Sequence, residues 1–472
     1  MSRSATPQVT FADWELLHQG VVLEPALQAV SDFLDDHDEL VEAIRDDLQR
    51  GLKNPQTGRQ GLTPQQVTRS LILMRVKNWD YRELRERIAD GLTLRRFADF
   101  HSRPVPKHDA FQRAFVKLTC ETMKALNAAL VQAAVAMGLE DGRKLRVDTT
   151  VVQTDIHHPT DNTLLWDVVR VVTRLVSRLG RAIERPIEGF RNRTRAARRR
   201  MQAIQRMTPK QRVARQRNTY AELIGIAEQV VEGGRRALRQ TRNIRGKDPL
   251  SERAIGELQA EIDHYCALGE RVIDQARRRV LQGEQVANAE KVYSIFEPHT
   301  DLIKRGKVLT PVEFGHKVFL AESARGLITQ YEVLDGNPSD EGHVAPSLER
   351  HTAAFGCAPQ LYGCDRGFFS EENVLTCQRA GVEVISMPQR GGHKTPARER
   401  YEKSPAFKKG QRFRAGIEGR ISVLFRGRGM KRCLAEGRER FELLVGAAVL
   451  ANNLLTIASL LARGSLRRRR AA

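Results

Sequence analysis

Three carboxylates fall at positions where an acid is costly unless something holds it. Asp148 sits inside an apolar, β-branched run, LRVDTTVV. A charge in such a strand calls for a partner, a solvated cleft or a metal ion. Asp365 follows a second strand-like run in YGCDRGFFSEEN, and Gly367 just after it lets the backbone turn sharply. The carboxyl ends of strands in α/β sheets are common ligand sites. Glu418 lies in the helical pattern FRAGIEGRISVLF, with Arg412, Arg414 and Arg420 close by. Each acid alone has an ordinary explanation: a ladder residue, a turn residue, or a surface ion pair worth ~0–1 kcal/mol. Together they form a set of hard oxygen donors of the kind that suits Mg²⁺ or Mn²⁺. Two such ions can clamp the attacking and leaving oxygens of a phosphodiester during in-line displacement.

The charge balance points to a polyanion. Lys and Arg number 78 against 57 Asp and Glu, a net charge of +21 over 472 residues. Nucleic acid is the first candidate partner for such a surplus. Between Arg181 and Arg217 there are thirteen Lys or Arg, opposed only by Glu184 and Glu188, for a net +11. The segment reads either as a solvated helical face or as a phosphate-contacting arm; its self-repulsion favours the arm, with Arg198, Arg199 and Arg200 at its centre. The hydrophobic fraction of 41% supports a real core. Six scattered cysteines without a CxxC pair exclude a disulfide scaffold and a credible zinc site. No phosphate-cradling G-x-x-x-x-G-K-[ST] loop occurs, so ATP use is not indicated. The N-terminal stretch has no apolar signal core, and the expected compartment is the cytoplasm, at the nucleoid.

Elements must then place the three acids. Up to about residue 140 the pattern is helical. Thr63-Pro64 reads as a cap followed by proline at the first helical position, and Asp80 as the cap of the next helix. Leu84 and Ile88 mark that helix's inner face, and Gly91 ends it. The two short helices suit either an ordinary bundle or a helix-turn-helix-like module. Lys144–Thr154 reads as a strand. Helical patterns return from about 164 to 289. Strands are then expected at Lys291–Ile295, Val312–Leu320, Leu327–Leu334, Leu361–Cys364 and Val382–Ser386, with a helix over Ser370–Ala380. Gly391–Lys409 reads as a basic loop and Phe413–Arg426 as a helix. Phe441–Ala462 is nearly long enough to span a bilayer, but Glu442, Asn452 and Asn453 within it favour a buried core helix. A flexible arginine tail is expected after it. The expected class is α/β with a long basic helical insertion.

The order and contexts of the acids resemble bacterial insertion-sequence transposases of the DDE class. VDTTVVQT is similar to their first catalytic motif, and the following DIHHPTDNTLL to the segment after it. CDRGFFSEEN is similar to the second motif, Asp-Arg-Gly-Phe/Tyr, and RAGIEGRISVLFRGRGMKRC to the third. The stretch LTPQQVTRSLILMRVKNWDYRELRERIADGLTLRRFADF resembles their helical N-terminal region. The resemblance implies an RNase H-like mixed-sheet catalytic core over 141–462, interrupted by an Arg-rich helical insertion at 166–290. It also implies an all-helical DNA-binding or dimerisation domain over 1–140; the basic tail at 463–472 is read from its arginines alone. Asp148, Asp365 and Glu418 become the metal-binding triad, with two Mg²⁺ or Mn²⁺ ions per site; 217 residues separate the first pair and 53 the second. Asp148 would bridge the ions and each other acid complete one sphere.

The implied activity is cleavage at transposon ends followed by strand transfer into target DNA. The implied partners are double-stranded DNA and at least a second copy of the chain. A catalytically inactive, DNA-binding descendant is the alternative, and a structural RNA-binding protein a third reading suggested by charge alone. One subgroup carries Tyr-x-x-Arg-x-x-x-Glu-x-x-x-x-x-x-Lys around its third acid. Here Arg414 and Glu418 fit, whereas Gln411 and Phe425 replace the tyrosine and lysine, leaving Arg426 or Arg428 to supply the charge. Arg414 is either a phosphate or transition-state contact or a helix salt bridge. Lys317, in FGHKVFL, is a candidate phosphate contact or an outward strand lysine. His157, His158 and Asp161 are further polar candidates after the first strand.

Overall fold

The computed structural model describes residues 22–54, 57, 61–207, 212–304 and 312–471, excluding the side chains of 212–215 and from 464 onward. The elements run α1 (Pro25–Asp35), α2 (Asp38–Glu42), α3 (Arg45–Gln49), α4 (Pro64–Lys77), α5 (Tyr81–Asp90), α6 (Leu92–Phe97), α7 (His108–Phe115) and α8 (Cys120–Ala136). Then come β1 (Lys144–Thr154), α9 (Asp161–Ala182), α10 (Thr194–Arg206), α11 (Arg212–Thr241) and α12 (Pro249–Ala276). The remainder is β2 (Asp301–Lys304), β3 (Val312–Ser323), β4 (Ile328–Val333), α13 (Val344–Phe355), β5 (Leu361–Gly363), α14 (Glu371–Arg379), β6 (Val384–Ser386), α15 (Pro396–Lys403), α16 (Pro405–Gly427), β7 (Arg432–Cys433) and α17 (Arg438–Ala471).

The protein is a mixed α/β structure whose seven-stranded sheet has the order β2-β3-β1-β5-β6, with β4 paired to β3 and β7 to β1. β1, β5 and β6 are parallel; β2 and β4 run antiparallel to β3. The chain forms two compact units, residues 1–153 with 316–472, and 154–315.

In the first unit, alternation along the strands sorts side chains between two faces. Leu145 and Val147 of β1, Phe319 and Ala321 of β3 and Tyr362 of β5 pack with Val344 and Leu348 of α13 and Cys377 of α14. Val152 of β1 and Val318 and Leu320 of β3 pack on the other face with Leu424 of α16 and Phe441 and Val445 of α17. The N-terminal helices do not close a core by themselves: Leu27, Leu71, Phe97 and Leu126 share one with Leu443, Leu450 and Leu454 of α17.

α4 starts as its sequence dictates, with Thr63 and Gln66 forming a reciprocal capping box ahead of Pro64. Asp80 caps α5, and Leu84 and Ile88 are buried. α17 is long and apolar enough to cross a bilayer, yet 72% of its apolar window is buried inside the protein. Its polar pair is fully used: Asn453 accepts from Ile328 N at 2.9 Å and donates to Ile328 O and Asn127 Oδ1, each at 2.8 Å. A satisfied buried amide of this kind belongs to a packed core.

Four expectations are corrected. Residues 291–295 are not a strand: Val292 N donates to the side chain of Gln275 at 2.8 Å, so a helix side chain replaces a ladder partner. The stretch 391–409 is not a loop throughout, because Thr395-Pro396 and Ser404-Pro405 start α15 and α16 by the device that starts α4. The helix expected from Phe413 therefore begins two turns earlier. α17 continues to Ala471, over the arginines expected to form a tail.

The second unit is helical around a core of Leu165, Val169 and Val172 from α9, Leu223 and Val230 from α11, and Ile262 and Val272 from α12. α10 lays Ala197 and Ile204 on this core and leaves Arg195, Arg198 and Arg199 exposed. Arg200 pairs with Glu222 at 2.8 Å. The side chains of Lys210, Arg212 and Arg215 from the basic segment lie outside the described residues.

Candidate active site

β1 and β5 pair in parallel with Lys144 opposite Leu361 and Arg146 opposite Gly363. That offset is the same 217 residues that separate Asp148 from Asp365, so the two aspartates fall side by side where the strands end their pairing. Arg146 and Asp148 share parity with Val152 and face α16. Gly363 and Asp365 do the same on the neighbouring strand. α16 runs close over this point: a Cβ at Gly363 would stand 3.4 Å from the Cβ of Arg414, an ordinary van der Waals contact. Arg414 and Glu418, one helical turn apart, lie on the face of α16 that overlooks both aspartates.

The structure therefore brings together four of the expected residues, with a guanidinium among three carboxylates. Arg414 Nη2 lies 2.8 Å from Asp148 Oδ2 and 3.8 Å from Asp365 Oδ2, and Nη1 lies 3.2 Å from Glu418 Oε1. The environments differ. Asp148 has a nearly buried side chain, Asp365 is partly open, and Glu418 is 69% exposed. Asp148 Oδ1 also accepts from Thr149 N at 2.8 Å, and Asp365 Oδ1 from Gly367 N at 2.8 Å. Burial pushes the Asp148 carboxyl up to about 6 despite Arg414, and the neighbouring charges of Asp365 and Asp340 push the same way.

The Asp148 shift has a stability consequence with a definite sign. Between the ordinary carboxyl range near 4 and about 6, the folded state holds a proton that the unfolded state has released. Stability therefore falls as pH rises through that window, and the loss is complete above it. Asp148→Asn is expected to be more stable than wild type at neutral pH, by about 2 kcal/mol, and to match it near pH 4. Thermal melts of both proteins at the two pH values check this; equal melting temperatures at neutral pH would contradict it.

α16 is fixed to the sheet by contacts invisible in the motif. Gln411, which stands where the related subgroup has tyrosine, donates to Ser386 O at 2.7 Å and Cys364 O at 3.2 Å. It ties the helix to the ends of β5 and β6. Glu322 of β3, with no exposed surface, accepts from Arg146 at 2.7 Å and from Arg420 at 2.9 Å. Arg146 is two residues before Asp148, and Arg420 is two after Glu418. The Arg146–Glu322–Arg420 set thus joins the strand of the first acid to the helix of the third. Arg146 also donates to Phe413 O at 2.7 Å. Sequence reading missed Glu322, because the expected strand stopped at Leu320, whereas β3 continues to Ser323; an acid within VFLAES is the signal that could have found it.

Asp340 was not legible. It follows β4 in NPSDEGH, where an acid after serine reads only as a turn residue. In the fold it accepts from Thr149 Oγ1 at 3.0 Å and pairs with Lys317 at 2.7 Å. Alternation explains this: Thr149 and Lys317 point to the face opposite Asp148. Lys317, a candidate phosphate contact or outward strand lysine, is 11% exposed and pairs with Asp340 and donates to Pro338 O at 2.8 Å.

Other candidates have other partners. His157 lies 3.4 Å from Asp167, and Asp161 accepts from Gln275 at 3.0 Å and Arg279 at 2.7 Å, all within the helical unit. His158 packs edge-on against Phe314. Arg428 donates to Val76 O at 3.2 Å, whereas Arg426 is exposed. Phe425 is partly buried against the core.

Among the described residues, no three His, Cys, Asp or Glu side chains are gathered as a ready metal cage. The three carboxylates are hard donors aimed at one shared cation, and in type they fit a hard divalent ion. The cation they share here is Arg414.

Residues 22–117 match the family model described as "Transposase domain (DUF772)". The match covers α1 to α7 and supports a transposase family and a transposition-related function; it does not reach the residues of the site. No curated protein and no solved structure matches the chain.

Proposed function

We propose that the protein is a DDE-class DNA transposase with an RNase H-like catalytic core, cleaving DNA at transposon ends and joining the freed ends to target DNA. The observation that carries this reading is the convergence of Asp148, Asp365 and Glu418, from three separated segments, on one guanidinium. The sheet supports it as well: β1 lies between β3 and the parallel β5, with the first two acids adjacent across β1 and β5.

Asp148, Asp365 and Glu418 would hold Mg²⁺ or Mn²⁺, which when bound supplies charge stabilisation to the attacking and leaving oxygens. In cleavage, water attacks phosphorus, the P–O3′ bond breaks, and a 3′-hydroxyl is released. In strand transfer that hydroxyl attacks a target phosphodiester and displaces its 3′-oxygen. The sheet-borne aspartates are fixed by backbone N–H bonds and the helix-borne glutamate is not, so the open side of the site is the side of Glu418. Arg414, among the three acids, is placed to meet a phosphate at that opening. Pairing two DNA ends calls for a homodimer or larger assembly. The proposed setting is the bacterial nucleoid.

The exposed arginines of α10 suit sequence-independent phosphate binding. Replacing Arg198, Arg199 and Arg200 with alanine is expected to weaken DNA binding and reduce the salt slope of log K by about 2, because Arg200 is already paired with Glu222. Titrations across a range of salt concentrations measure this, and an unchanged slope would return α10 to a solvated helical face.

The overall reading is tested by incubating the protein with duplex DNA carrying the element's terminal sequence. Nicking that requires Mg²⁺ or Mn²⁺ and stops with chelator is expected. Nicking that proceeds in chelator would overturn it.

A further inference from the structure

The arginine of the site is placed where the acids' metal ions would have to act, and this has a consequence for the order of events. Arg414 Nη2 and Nη1 between them reach an oxygen of all three acids, at 2.8, 3.8 and 3.2 Å. Its Nε is buried and has no hydrogen-bond partner. The side chain is therefore held at its tip by carboxylates and not by its stem. The acids are unequal: Asp148 is nearly buried, whereas Glu418 is mostly exposed, so the Glu418 arm of the arrangement is weakly held. A guanidinium with one strong and two weaker carboxylate partners can be drawn off by a better planar-fork acceptor, and phosphate is such an acceptor.

We infer that Arg414 is an internal counter-cation of the DNA-free protein, occupying the carboxylates in place of metal, and that release of Arg414 to a DNA phosphate opens the site to divalent ions. The inference rests on the proposed metal-dependent function and adds an order to it: DNA first, ions second. Before DNA arrives, Arg414 occupies oxygens of all three acids and offsets one of their charges, so it competes with a divalent ion for the same donors. The exchange is a difference in affinity between two states of one side chain, and coupling between the two ligands follows from it.

The test is calorimetric titration of Mn²⁺ into the full-length protein without DNA. Arg414→Gln is expected to bind Mn²⁺ about tenfold more tightly than wild type, whereas Arg414→Lys, which keeps a positive charge, stays near wild type. Short duplex DNA is expected to raise the wild-type affinity for Mn²⁺ and to leave Arg414→Gln unchanged. Equal Mn²⁺ affinity in wild type and Arg414→Gln, or no effect of DNA on wild type, would overturn the exchange. Adding Asp148→Ala to Arg414→Gln separates this from the parent reading. If Mn²⁺ affinity drops on that addition, the acids bind metal whatever the fate of the exchange; if it does not, the metal site itself is lost and the exchange falls with it. Thermal melts of each variant confirm that the fold is retained.

Discussion

Glu322→Gln is expected to destabilise the protein by about 3–5 kcal/mol, the largest stability effect of any single change considered. Glu322 has no exposed surface and balances two arginines at 2.7 and 2.9 Å. Removing its charge strands Arg146 and Arg420 in a poorly solvated interior, where each loses its counter-charge without regaining water. Denaturant unfolding should show the midpoint falling with an unchanged slope. The double variant Glu322→Met with Arg146→Met should recover part of the loss, because a buried ion pair replaced as a whole costs far less than one broken in half. A Glu322→Gln protein as stable as wild type would show that solvent reaches this set.

Asp148→Ala is expected to lower strand cleavage by roughly 10³-fold or more while DNA affinity is retained or slightly improved. Asp148 is the most buried of the three acids and the one most tightly bound to Arg414. Its loss removes a central donor and a negative charge from a phosphate-binding opening, so catalysis and affinity move in opposite directions. Asp148→Asn, expected to gain stability, is the companion variant: a loss of activity there without a loss of melting temperature cannot be assigned to unfolding. Gel-based cleavage and fluorescence-anisotropy binding on one preparation measure both quantities. Cleavage by Asp148→Ala at the wild-type rate would remove this residue from the site.

Much of the site was legible because its signals were local. Asp148 and Asp365 stood out as acids in or just beyond apolar strand runs, and the 217-residue spacing turned out to be the register offset of β1 and β5. Arg414 and Glu418 were legible as a helix pair one turn apart. Asp340, by contrast, reaches the neighbourhood of Asp148 only through Thr149 and Lys317, a contact made by strand alternation and a loop path that no local pattern encodes. The role of Lys317 was missed for the same reason. α15 was missed because its residues are too polar to show an apolar stripe, although Thr395-Pro396 carried the same start signal as Thr63-Pro64. Periodicity showed the N-terminal helices, but α17, more than three hundred residues later, supplies part of their core. Sequence shows that a helix has an apolar face, not what covers it.

The most direct measurement is cleavage of the element's own terminal DNA in Mg²⁺ by wild type and Glu418→Gln side by side. Glu418 is exposed and its carboxylate pairs with the arginine of the site at 3.2 Å, so the exchange of carboxylate for amide leaves the fold and the packing of α16 alone. Mg²⁺-dependent nicking is expected of wild type and none of the variant, with both still bound to DNA. Nicking by both at equal rates would contradict it and move the third acid of the site elsewhere.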